Sequence, residues 1–286
     1  MTRIESGRDL IRAEAIHVAL PDRGRRRLFG RTPQVDILRG VDFRIGRGET
    51  VGIVGESGSG KTTLGRVLLR LLQPSAGRLY FDGQEITAAD QETLRPLRPR
   101  MQMIFQNPLS SLNPRHTIGE IVGAPIRAAT ARAALRDRVA TALRRAELGP
   151  AYAGRYPHQL SGGERQRVGI ARAIVGEPSF ILADEIVSGL DVSTQAQILT
   201  LLRSLQRDMG LALALIAHDL SVVRVLCDRV VVLWQGRIVE QGTCAQVFAA
   251  PRHAYTRRLI AAIPLPEIDD GWFDRPEIDA DIDAEA

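Results

Sequence analysis

Hydrophobic and polar residues alternate along several short segments of the chain, and this pattern predicts β-strands. Weak alternation runs over residues 13–19 and clearer alternation over residues 41–45. Residues 50–54 are apolar on both faces, as expected for a buried strand of a parallel sheet. Two further strands are predicted over residues 179–183 and 211–217, the first of them buried as well. The pattern therefore indicates a sheet with buried central strands.

Apolar residues between these strands recur at helical spacing. Five of them follow residue 61 on one helical face: Leu64, Val67, Leu68, Leu71 and Leu72. Pro74 ends this predicted helix. A second helix is predicted over residues 194–209, whereas residues 77–83 are predicted to form a short strand and turn. Strands that alternate with helices in this way predict an α/β fold with a mainly parallel sheet.

The pattern changes in the middle of the chain. From residue 108 to about residue 172, helical segments rich in Ala and Arg, such as residues 128–146, replace the strands. We therefore predict an inserted α-helical subdomain over 108–172. After the α/β pattern resumes, strands over residues 230–234 and 237–240 flank a Gln235-Gly236 turn, which is typical of a hairpin.

The composition is that of a globular protein, with 44% hydrophobic and 25% charged residues among 286. The longest apolar stretch, residues 211–217, is far shorter than the roughly 20 residues that cross a bilayer. The N-terminus lacks the apolar segment of a secretion signal. Two cysteines, Cys227 and Cys244, are too few for a disulfide framework. We therefore expect a cytosolic chain that reaches a membrane only through a partner.

The net charge of +5 and the isoelectric point near 9.8 raise the possibility of nucleic-acid binding. The arginines are spread along the chain, however, and Arg25-Arg26-Arg27 is the only cluster, so no nucleic acid is expected as a partner. The single lysine, Lys61, is more informative. An ammonium is a compact point charge and a guanidinium a planar fork, so this position suggests a site with room only for the former.

Residues 55–62 have the pattern G-x-x-x-x-G-K-[ST] of a phosphate-binding loop, between a predicted buried strand and a predicted helix. Its glycines let backbone N–H groups point inward at a helix N-terminus. We expect Lys61 to reach the β- and γ-phosphates of ATP, Thr62 to ligate Mg²⁺ and Thr63 to reach the α-phosphate. The candidate ATP-binding residues are Gly55, Glu56, Ser57, Gly58, Ser59, Gly60, Lys61, Thr62 and Thr63. A glycine-rich turn without a ligand is the alternative.

Two adjacent carboxylates, Asp184 and Glu185, follow the strand predicted over residues 179–183. Open α/β sheets bind ligands at the carboxyl ends of their strands. A Mg²⁺–nucleotide site needs a carboxylate near the metal, and hydrolysis needs a group that polarises water. We assign Asp184 to the first role and Glu185 to the second. A solvated strand end is the alternative.

Four further segments of the chain occur in the order typical of the ATP-binding cassette ATPases. Residues 160–167, with the sequence Leu-Ser-Gly-Gly-Glu-Arg-Gln-Arg, closely resemble the signature motif of that family. Gln106 resembles its Q-loop glutamine, residues 188–191 its D-loop and His218 its switch histidine. The resemblance covers about residues 13–264. It implies a P-loop NTPase with a RecA-like core, an N-terminal antiparallel β subdomain and the helical insertion.

The signature segment also has a physical interpretation of its own. Ser161 followed by Glu164 is a capping box that opens a helix through residue 173, and the helix N-terminus with exposed glycines is a second anion site. A well-capped helix without a ligand is the alternative. The resemblance implies that this segment faces the γ-phosphate of ATP held by the opposite subunit of a head-to-tail dimer. The residues implied to act across that interface are Ser161, Gly162, Gly163, Glu164 and Asp191.

The resemblance also implies the remaining catalytic residues. Gln106 would contribute to catalysis, ATP binding and Mg²⁺ binding, together with Thr62 and Asp184 at the metal. His218 would hold the γ-phosphate in its transition-state geometry; a histidine satisfied after a buried strand is the alternative. With Lys61 and Glu185, these residues complete the catalytic set, and the cofactors are ATP and Mg²⁺.

Three positions depart from the family pattern. Glu164 replaces a glutamine, and Arg165 and Arg167 are candidates to offset its charge. Ile186-Val187 stands where Pro-Thr is common, which is expected to shift the D-loop backbone. The aromatic residue that stacks on adenine is missing from its usual place, and Phe29 is a candidate substitute.

Residues 105–114 and 247–256 resemble the peptide/nickel import subfamily, although Ala254 replaces a proline. This implies a bacterial importer of di- or oligopeptides, or of nickel, glutathione or opines. The implied partners are a second ATPase subunit, identical or not, integral-membrane permease subunits and, indirectly, a periplasmic solute-binding protein. The chain would lie at the cytoplasmic face of the inner membrane.

We expect a nucleotide-binding domain over residues 10–242, an oligopeptide-transporter-type extension over 243–266 and an acidic tail over 267–286. The main alternative function is that of a soluble ATP-binding cassette protein acting on nucleic acid or ribosomes. A P-loop kinase or GTPase is a third possibility, disfavoured by residues 160–167 and by the lack of a guanine-binding motif.

Overall fold

The fold is that of a computed structural model, which describes residues 9–21, 33–106 and 111–262. In these residues the strands are β1 (Asp9–Pro21), β2 (Gln34–Gly46), β3 (Thr50–Val54), β4 (Ala76–Phe81), β5 (Gln84–Glu85), β6 (Met101–Ile104), β7 (Phe180–Asp184), β8 (Ala212–Ile216), β9 (Arg229–Trp234) and β10 (Arg237–Thr243). The helices are α1 (Lys61–Leu68), α2 (Gln91–Leu94), α3 (Ile118–Gly123), α4 (Arg132–Arg145), α5 (Gly162–Ile174), α6 (Val192–Met209), α7 (Leu220–Leu226), α8 (Cys244–Ala249) and α9 (Ala254–Ala261). Short 3₁₀ helices span Arg98–Arg100, Ala124–Ala129, Pro150–Gly154 and Pro157–Gln159.

The larger sheet has the strand order β10-β9-β3-β8-β7-β6. Strands β9 to β6 run parallel, and β10 adds an antiparallel edge. Alternate residues of β7 lie in different apolar clusters: Leu182 packs on one face of the sheet, and Ile181 and Ala183 on the other. Both faces are therefore covered, which explains why β3, β7 and β8 are apolar throughout and confirms the predicted α/β fold with a mainly parallel sheet.

The smaller sheet is antiparallel, with the order β2-β1-β4-β5, and confirms the predicted N-terminal antiparallel part. Strand β1 is longer than the weak alternation predicts. Its register shifts between Ala13 and Ile16, and this irregularity obscures the alternation in the sequence. Ala15 lies at the shift with a φ of 46°, and its N–H donates to Oδ1 of Asp42 at 2.8 Å. The bulge interrupts the alternation of β1 without ending the strand.

Helix α1 is shorter than the prediction. It ends at Leu68, whereas the apolar spacing predicts a helix that continues to Pro74. Arg70 adopts a φ of 53°, and its Nε donates to the carbonyl of Ile86 at 2.8 Å, so the chain leaves the helical path there. Leu71 is consequently 54% exposed.

Helices α3, α4 and α5 lie between β6 and β7 in the sequence. They pack against one another around an apolar cluster that includes Val122, Leu143 and Val168. The helix predicted over residues 128–146 is in fact two pieces, the 3₁₀ turn Ala124–Ala129 and α4, because Thr130 is extended between them. Strand β6 is not predicted from the sequence. Only four residues long, it has buried ends and half-buried middle residues, so it shows no alternation.

The β9–β10 hairpin turns at Gln235 and Gly236, whose φ values are 46° and 79°. Two consecutive positive φ values suit a two-residue turn between twisted strands, so the predicted hairpin is confirmed. Helices α8 and α9 follow it, and Tyr255 of α9 is buried. Among the described residues no helix has both the length and the apolar character to span a membrane. The predicted acidic tail lies outside the described residues.

Candidate nucleotide site

The site lies at the carboxyl edge of the larger sheet because β3, β8, β7 and β6 are parallel neighbours that all end there. The phosphate loop follows β3. The Asp184–Glu185 pair lies at the end of β7, His218 follows β8, and Gln106 follows β6. Sheet topology therefore brings together residues that are separated by more than a hundred positions in the sequence.

The phosphate loop has backbone conformations that depend on glycine. Gly55 has a φ of 150°, and a Cβ built there would lie 2.1 Å from the carbonyl oxygen of Leu233. Gly60 caps α1 with a φ of 107°, and a Cβ added to it would lie 2.9 Å from Cδ2 of Leu38. The N–H of Gly236 donates to the Ser59 carbonyl at 3.0 Å. Strand β9 and the hairpin turn thus hold the loop in shape before any ligand arrives.

Lys61 lies inside this loop and is only 6% exposed. Its Nζ donates to the carbonyl oxygens of Gly55 at 2.6 Å and Glu56 at 2.7 Å. Burial lowers the pKa of Lys61, while the charges of Glu185, Asp184 and Glu56 act in the opposite direction. The ammonium is therefore held by loop carbonyls and faces nearby acidic groups without forming an ion pair with them. This arrangement leaves its charge available to an anionic ligand.

Asp184 is 6% exposed, and burial together with the charge of Glu185 raises its pKa. A hydrogen bond with the Thr62 side chain and the charges of Arg66 and Lys61 oppose that rise. Asp184 and Thr62 thus present a carboxylate and a hydroxyl beside each other. Mg²⁺ prefers oxygen ligands and is usually held by one or two carboxylates plus substrate phosphates, so this donor set fits the metal.

Glu185 is the point at which three of the predicted residues meet. Its backbone N–H donates to the Ile216 carbonyl at 2.9 Å, and its φ of 48° turns the chain out of β7. Its Oε2 accepts a hydrogen bond from Nε2 of Gln106 at 2.6 Å and lies 3.9 Å from Nδ1 of His218. The second distance is too long for a hydrogen bond. Glu185 and His218 line one cleft together with Gly189 and Gln195.

The signature segment forms the predicted capping box at the start of α5. The Ser161 hydroxyl accepts from the N–H of Glu164 at 3.3 Å, and Oε2 of Glu164 accepts from the N–H of Ser161 at 2.7 Å. Ser161 and Gly162 are exposed, and a Cβ on Gly162 would meet no atom within 4 Å. Within the described ranges, no hydrogen bond joins this segment to the phosphate loop.

The charge of Glu164 is stabilised by different residues than the sequence suggests. Its pKa is lowered first by a hydrogen bond from the Tyr152 hydroxyl, which lies 2.5 Å from Oε1, and then by the Ser161 N–H and the charge of Arg155. Arg165 instead donates to the Pro157 carbonyl, and Arg167 pairs with Glu147. The expectation for Arg165 and Arg167 is therefore wrong, because α5 points both guanidinium groups elsewhere.

The D-loop residue Asp191 caps α6 by accepting from the N–H of Thr194 at 2.9 Å. Hydrogen bonds from the Ser193 hydroxyl and from Thr194 hold its pKa far below its usual range. Ile186 and Val187, which replace Pro-Thr, are both buried. The candidate adenine-stacking residue, Phe29, lies outside the described residues.

Two residues near the site have no sequence signal that could have identified them. Tyr152 lies in a 3₁₀ turn, nine positions before Ser161. Tyr255, from α9, accepts a hydrogen bond on its hydroxyl from the N–H of Glu56 at 2.7 Å, although the two residues are 199 positions apart.

Comparison with known proteins gives the family. Residues 38–188, more than half of the chain, match the family model described as ABC transporter. A putative peptide import ATP-binding protein of Brucella ovis is 52% identical over 241 residues, which cover 84% of this chain and 76% of that protein. The oligopeptide transport ATP-binding protein OppF of Escherichia coli is 43% identical over 275 residues, covering 94% of this chain and 82% of OppF.

Solved structures give the same result. The dimeric post-hydrolysis state of the ATP-binding cassette MJ0796, bound to ADP and Pi, superposes with a TM-score of 0.71 and 30% identity over 82% of this chain and 98% of that one. CbiO1 of Clostridium perfringens, part of the ABC transporter complex cbiONQ, superposes with a TM-score of 0.73 and 29% identity, over 85% of this chain and 92% of that one. The chain therefore belongs to the ABC transporter family, as one of its ATP-hydrolysing subunits.

Proposed function

We propose that this chain hydrolyses Mg·ATP to drive the uptake of peptides through a membrane permease. The observation that carries the proposal is the convergence of Gln106 and His218 on Glu185, at the strand edge that also holds the phosphate loop. Such a cluster can hold a water molecule beside a terminal phosphate. The chemistry is the transfer of the γ-phosphoryl group of ATP to water.

The loop residues 55–63 bind the phosphates through backbone N–H groups, and Lys61 stabilises the β- and γ-phosphates. Thr62, Asp184 and Gln106 would hold Mg²⁺, which neutralises negative charge that develops on the phosphates. Glu185 accepts the proton of the attacking water. Gln106 keeps the Glu185 carboxylate in place and His218 contacts the γ-phosphate.

The exposed signature segment acts on the second nucleotide of a dimer. Ser161, Gly162 and Gly163 face the γ-phosphate bound by the partner, with Glu164 and Asp191 beside them. The exposure of this segment and the dimeric state of the MJ0796 cassette support this part of the proposal. Two ATP molecules lie between the subunits, and hydrolysis lets the subunits separate.

The cargo follows from the relatives. The Brucella ovis protein and OppF carry names that refer to peptide import and oligopeptide transport. We infer a di- or oligopeptide as cargo for this chain, a permease and a second ATPase subunit as direct partners, and a periplasmic solute-binding protein as an indirect one. The chain then works at the cytoplasmic face of the inner membrane.

The domain organisation remains part of the proposal. Residues 10–242 form the nucleotide-binding domain, with the helical subdomain over 108–172 inserted in it. Residues 243–266 are the transporter-type extension, and residues 267–286 the acidic tail. No observation in the described residues favours the nucleic-acid or ribosome alternative over transport.

The test is reconstitution. The chain is combined with candidate permease and second ATPase subunits in vesicles loaded with ATP, and the solute-binding protein is added outside. Uptake of labelled di- and oligopeptides, nickel and glutathione is then measured. We expect ATP-dependent peptide uptake that stops with Glu185→Gln. Uptake of nickel or glutathione without uptake of peptides would show that the inferred cargo is wrong. ATPase activity stimulated by nucleic acid, with no association with the permease, would overturn the transport proposal.

A further inference from the structure

The C-terminal helix α9 contacts the phosphate loop through one buried side chain. Tyr255 is 1% exposed, and its hydroxyl oxygen accepts the N–H of Glu56 at 2.7 Å. Burial raises the pKa of Tyr255, so the phenol stays neutral near neutral pH. A phenylalanine would fill the same space, whereas a buried hydroxyl is costly unless it finds a partner. The loop N–H is that partner.

This hydrogen bond shares one peptide group with the catalytic lysine. The N–H of the peptide that joins Gly55 to Glu56 donates a hydrogen bond to Tyr255. The carbonyl of the same peptide, that of Gly55, accepts a hydrogen bond from Nζ of Lys61 at 2.6 Å. Rotation of this peptide plane would break both contacts at once. Hydrogen bonds at the two ends of one peptide also polarise each other, which strengthens both. Tyr255 and Lys61 are therefore coupled through a single rigid unit.

The position of Tyr255 is fixed by its surroundings. Its ring stacks on Trp234, at the end of β9, with centroids 5.6 Å apart and an interplanar angle of 30°. Its N–H donates to Nδ1 of His253 at 3.1 Å. The carboxylate of Glu240 on β10 accepts the N–H groups of Arg252 at 2.8 Å and His253 at 3.0 Å, and so anchors the chain that enters α9. The hydroxyl is thus placed by packing on both strands of the hairpin.

The same hairpin also lies against the loop itself. The carbonyl of Leu233 is the atom that excludes a side chain at Gly55, and Leu233 is the residue before Trp234. Strand β9 therefore lies directly against Gly55 and also positions the tyrosine that bonds to the Gly55–Glu56 peptide. The loop has a rigid support made of β9, β10 and α9.

We propose that Tyr255 is a positioning residue for the ATP site: its hydroxyl fixes the Gly55–Glu56 peptide and thereby the ammonium of Lys61. This rests on the proposed role of Lys61 in phosphate binding. Once ATP is bound, its phosphates hold the loop as well, so the contribution of Tyr255 lies mainly in forming the complex. Its loss should raise the KM and Kd for ATP more than it lowers kcat.

The experiment compares the full-length chain with Tyr255→Phe, which keeps the ring and removes the hydroxyl. Tyr80→Phe is the matched control, because Tyr80 lies on β4 of the other sheet, with its ring against Arg12. We expect Tyr255→Phe to raise the KM and Kd for Mg·ATP by about three- to tenfold, the value of one hydrogen bond, with kcat within about twofold. Tyr80→Phe should leave all three unchanged.

Hydrogen exchange at residues 54–60 gives a readout that does not depend on activity. The Glu56 amide should exchange faster in Tyr255→Phe than in the wild type, without nucleotide, while α9 and β9 keep their protection. Unchanged exchange at this segment and unchanged ATP affinity would overturn the inference. Faster exchange throughout α9 and β9, with a lower Tm, would also overturn it, by showing a structural role only. A wild-type chain that neither binds nor hydrolyses ATP would instead refute the proposed function, and the exchange result would still decide the role of Tyr255.

Discussion

The two halves of the proposed ATP site differ in how far this chain completes them. The phosphate loop is held on several sides: Lys61 is buried, and Leu233 leaves no room for a side chain at Gly55. The signature segment is anchored at its base by the capping box and by the Tyr152–Glu164 hydrogen bond, but Gly162 faces open space. The first half is built to receive a ligand within the chain. The second is presented outward, as a surface that another subunit would use.

The largest expected effect removes hydrolysis without removing binding. Glu185→Gln should lower kcat by about 10² to 10⁴ because it removes the general base, while Asp184 and Lys61 keep ATP bound. Steady-state ATPase assays and a binding titration measure the two effects separately. Glu177→Gln is the control, since Glu177 is an exposed carboxylate paired with Arg145. A Glu185→Gln variant that retains activity within a few-fold of wild type would disprove the role given to Glu185.

The next effect acts on binding through the buried half. Lys61→Ala should weaken ATP binding by about ten- to a hundredfold, the value of charge-assisted hydrogen bonds. Lys61→Arg should weaken binding as well, because Nζ is held by two loop carbonyls at 2.6 and 2.7 Å, a geometry that suits a compact ammonium better than a planar guanidinium. Calorimetric titration with Mg·ATP measures both. Tight binding by Lys61→Arg would show that charge alone is required.

A pair of glycine substitutions tests the comparison directly. Gly55→Ala should weaken ATP binding at least about fivefold, because the new Cβ would lie 2.1 Å from a backbone oxygen at a positive φ. Gly162→Ala should leave ATP affinity within about twofold and the Tm unchanged or higher, since alanine favours the helix. It should still reduce turnover, by obstructing the facing subunit.

Titration, Tm and ATPase rate as a function of protein concentration distinguish the two glycine variants. If Gly162→Ala reduces ATP affinity as strongly as Gly55→Ala does, the signature segment contributes to binding within one chain. The distinction between the two halves would then be lost.

The smallest effect concerns Glu164. Tyr152→Phe removes the main cause of its lowered pKa, so that pKa should move back towards its ordinary value of 4.5. A carboxylate with a depressed pKa stabilises the fold above its unfolded-state pKa and loses that contribution as the pH falls. The variant should therefore have a lower Tm than the wild type at pH 7, and this difference should shrink as the pH falls below 4.5 towards pH 3. A Tm profile over this range, with Tyr80→Phe as control, measures it. A uniform offset at all pH values would mean that Tyr152 acts only through packing.

The sequence predicts the phosphate loop, the carboxylate pair and the buried strands because each depends on local pattern. The capping box at Ser161 is equally local, and its geometry is as predicted. Strand β6 is missed because four residues show no periodicity, and α1 ends early because Arg70 leaves the helix to bond with a distant carbonyl. In each case a tertiary contact decides the local structure.

The contacts of Glu164 and Tyr255 show the same limit within the site. The sequence suggests Arg165 and Arg167 to offset the charge of Glu164. Arg165, the next residue, lies on a different face of the helix, and Arg167, three positions on, pairs with Glu147 instead. Tyr255 belongs to the segment expected as an oligopeptide-transporter-type extension, with no contact to the phosphate loop predicted. Its contact with Glu56 depends on the strand order of the sheet, which no local pattern contains. The roles of the site residues and the domain boundaries remain predictions.

The burial of Lys61 has a practical consequence for studying this protein. Because it is the single lysine in the sequence, the chain carries one ε-amino group, and that group lies inside the phosphate loop. A reagent that acylates amines can therefore modify only one side chain, besides the N-terminal α-amino group, and the extent of acylation at Lys61 with and without ATP measures occupancy of the nucleotide site. Lysine-directed cross-linkers, in contrast, have no surface lysine to capture, so contacts with a permease or a second subunit must be mapped through carboxylates, arginines or introduced cysteines.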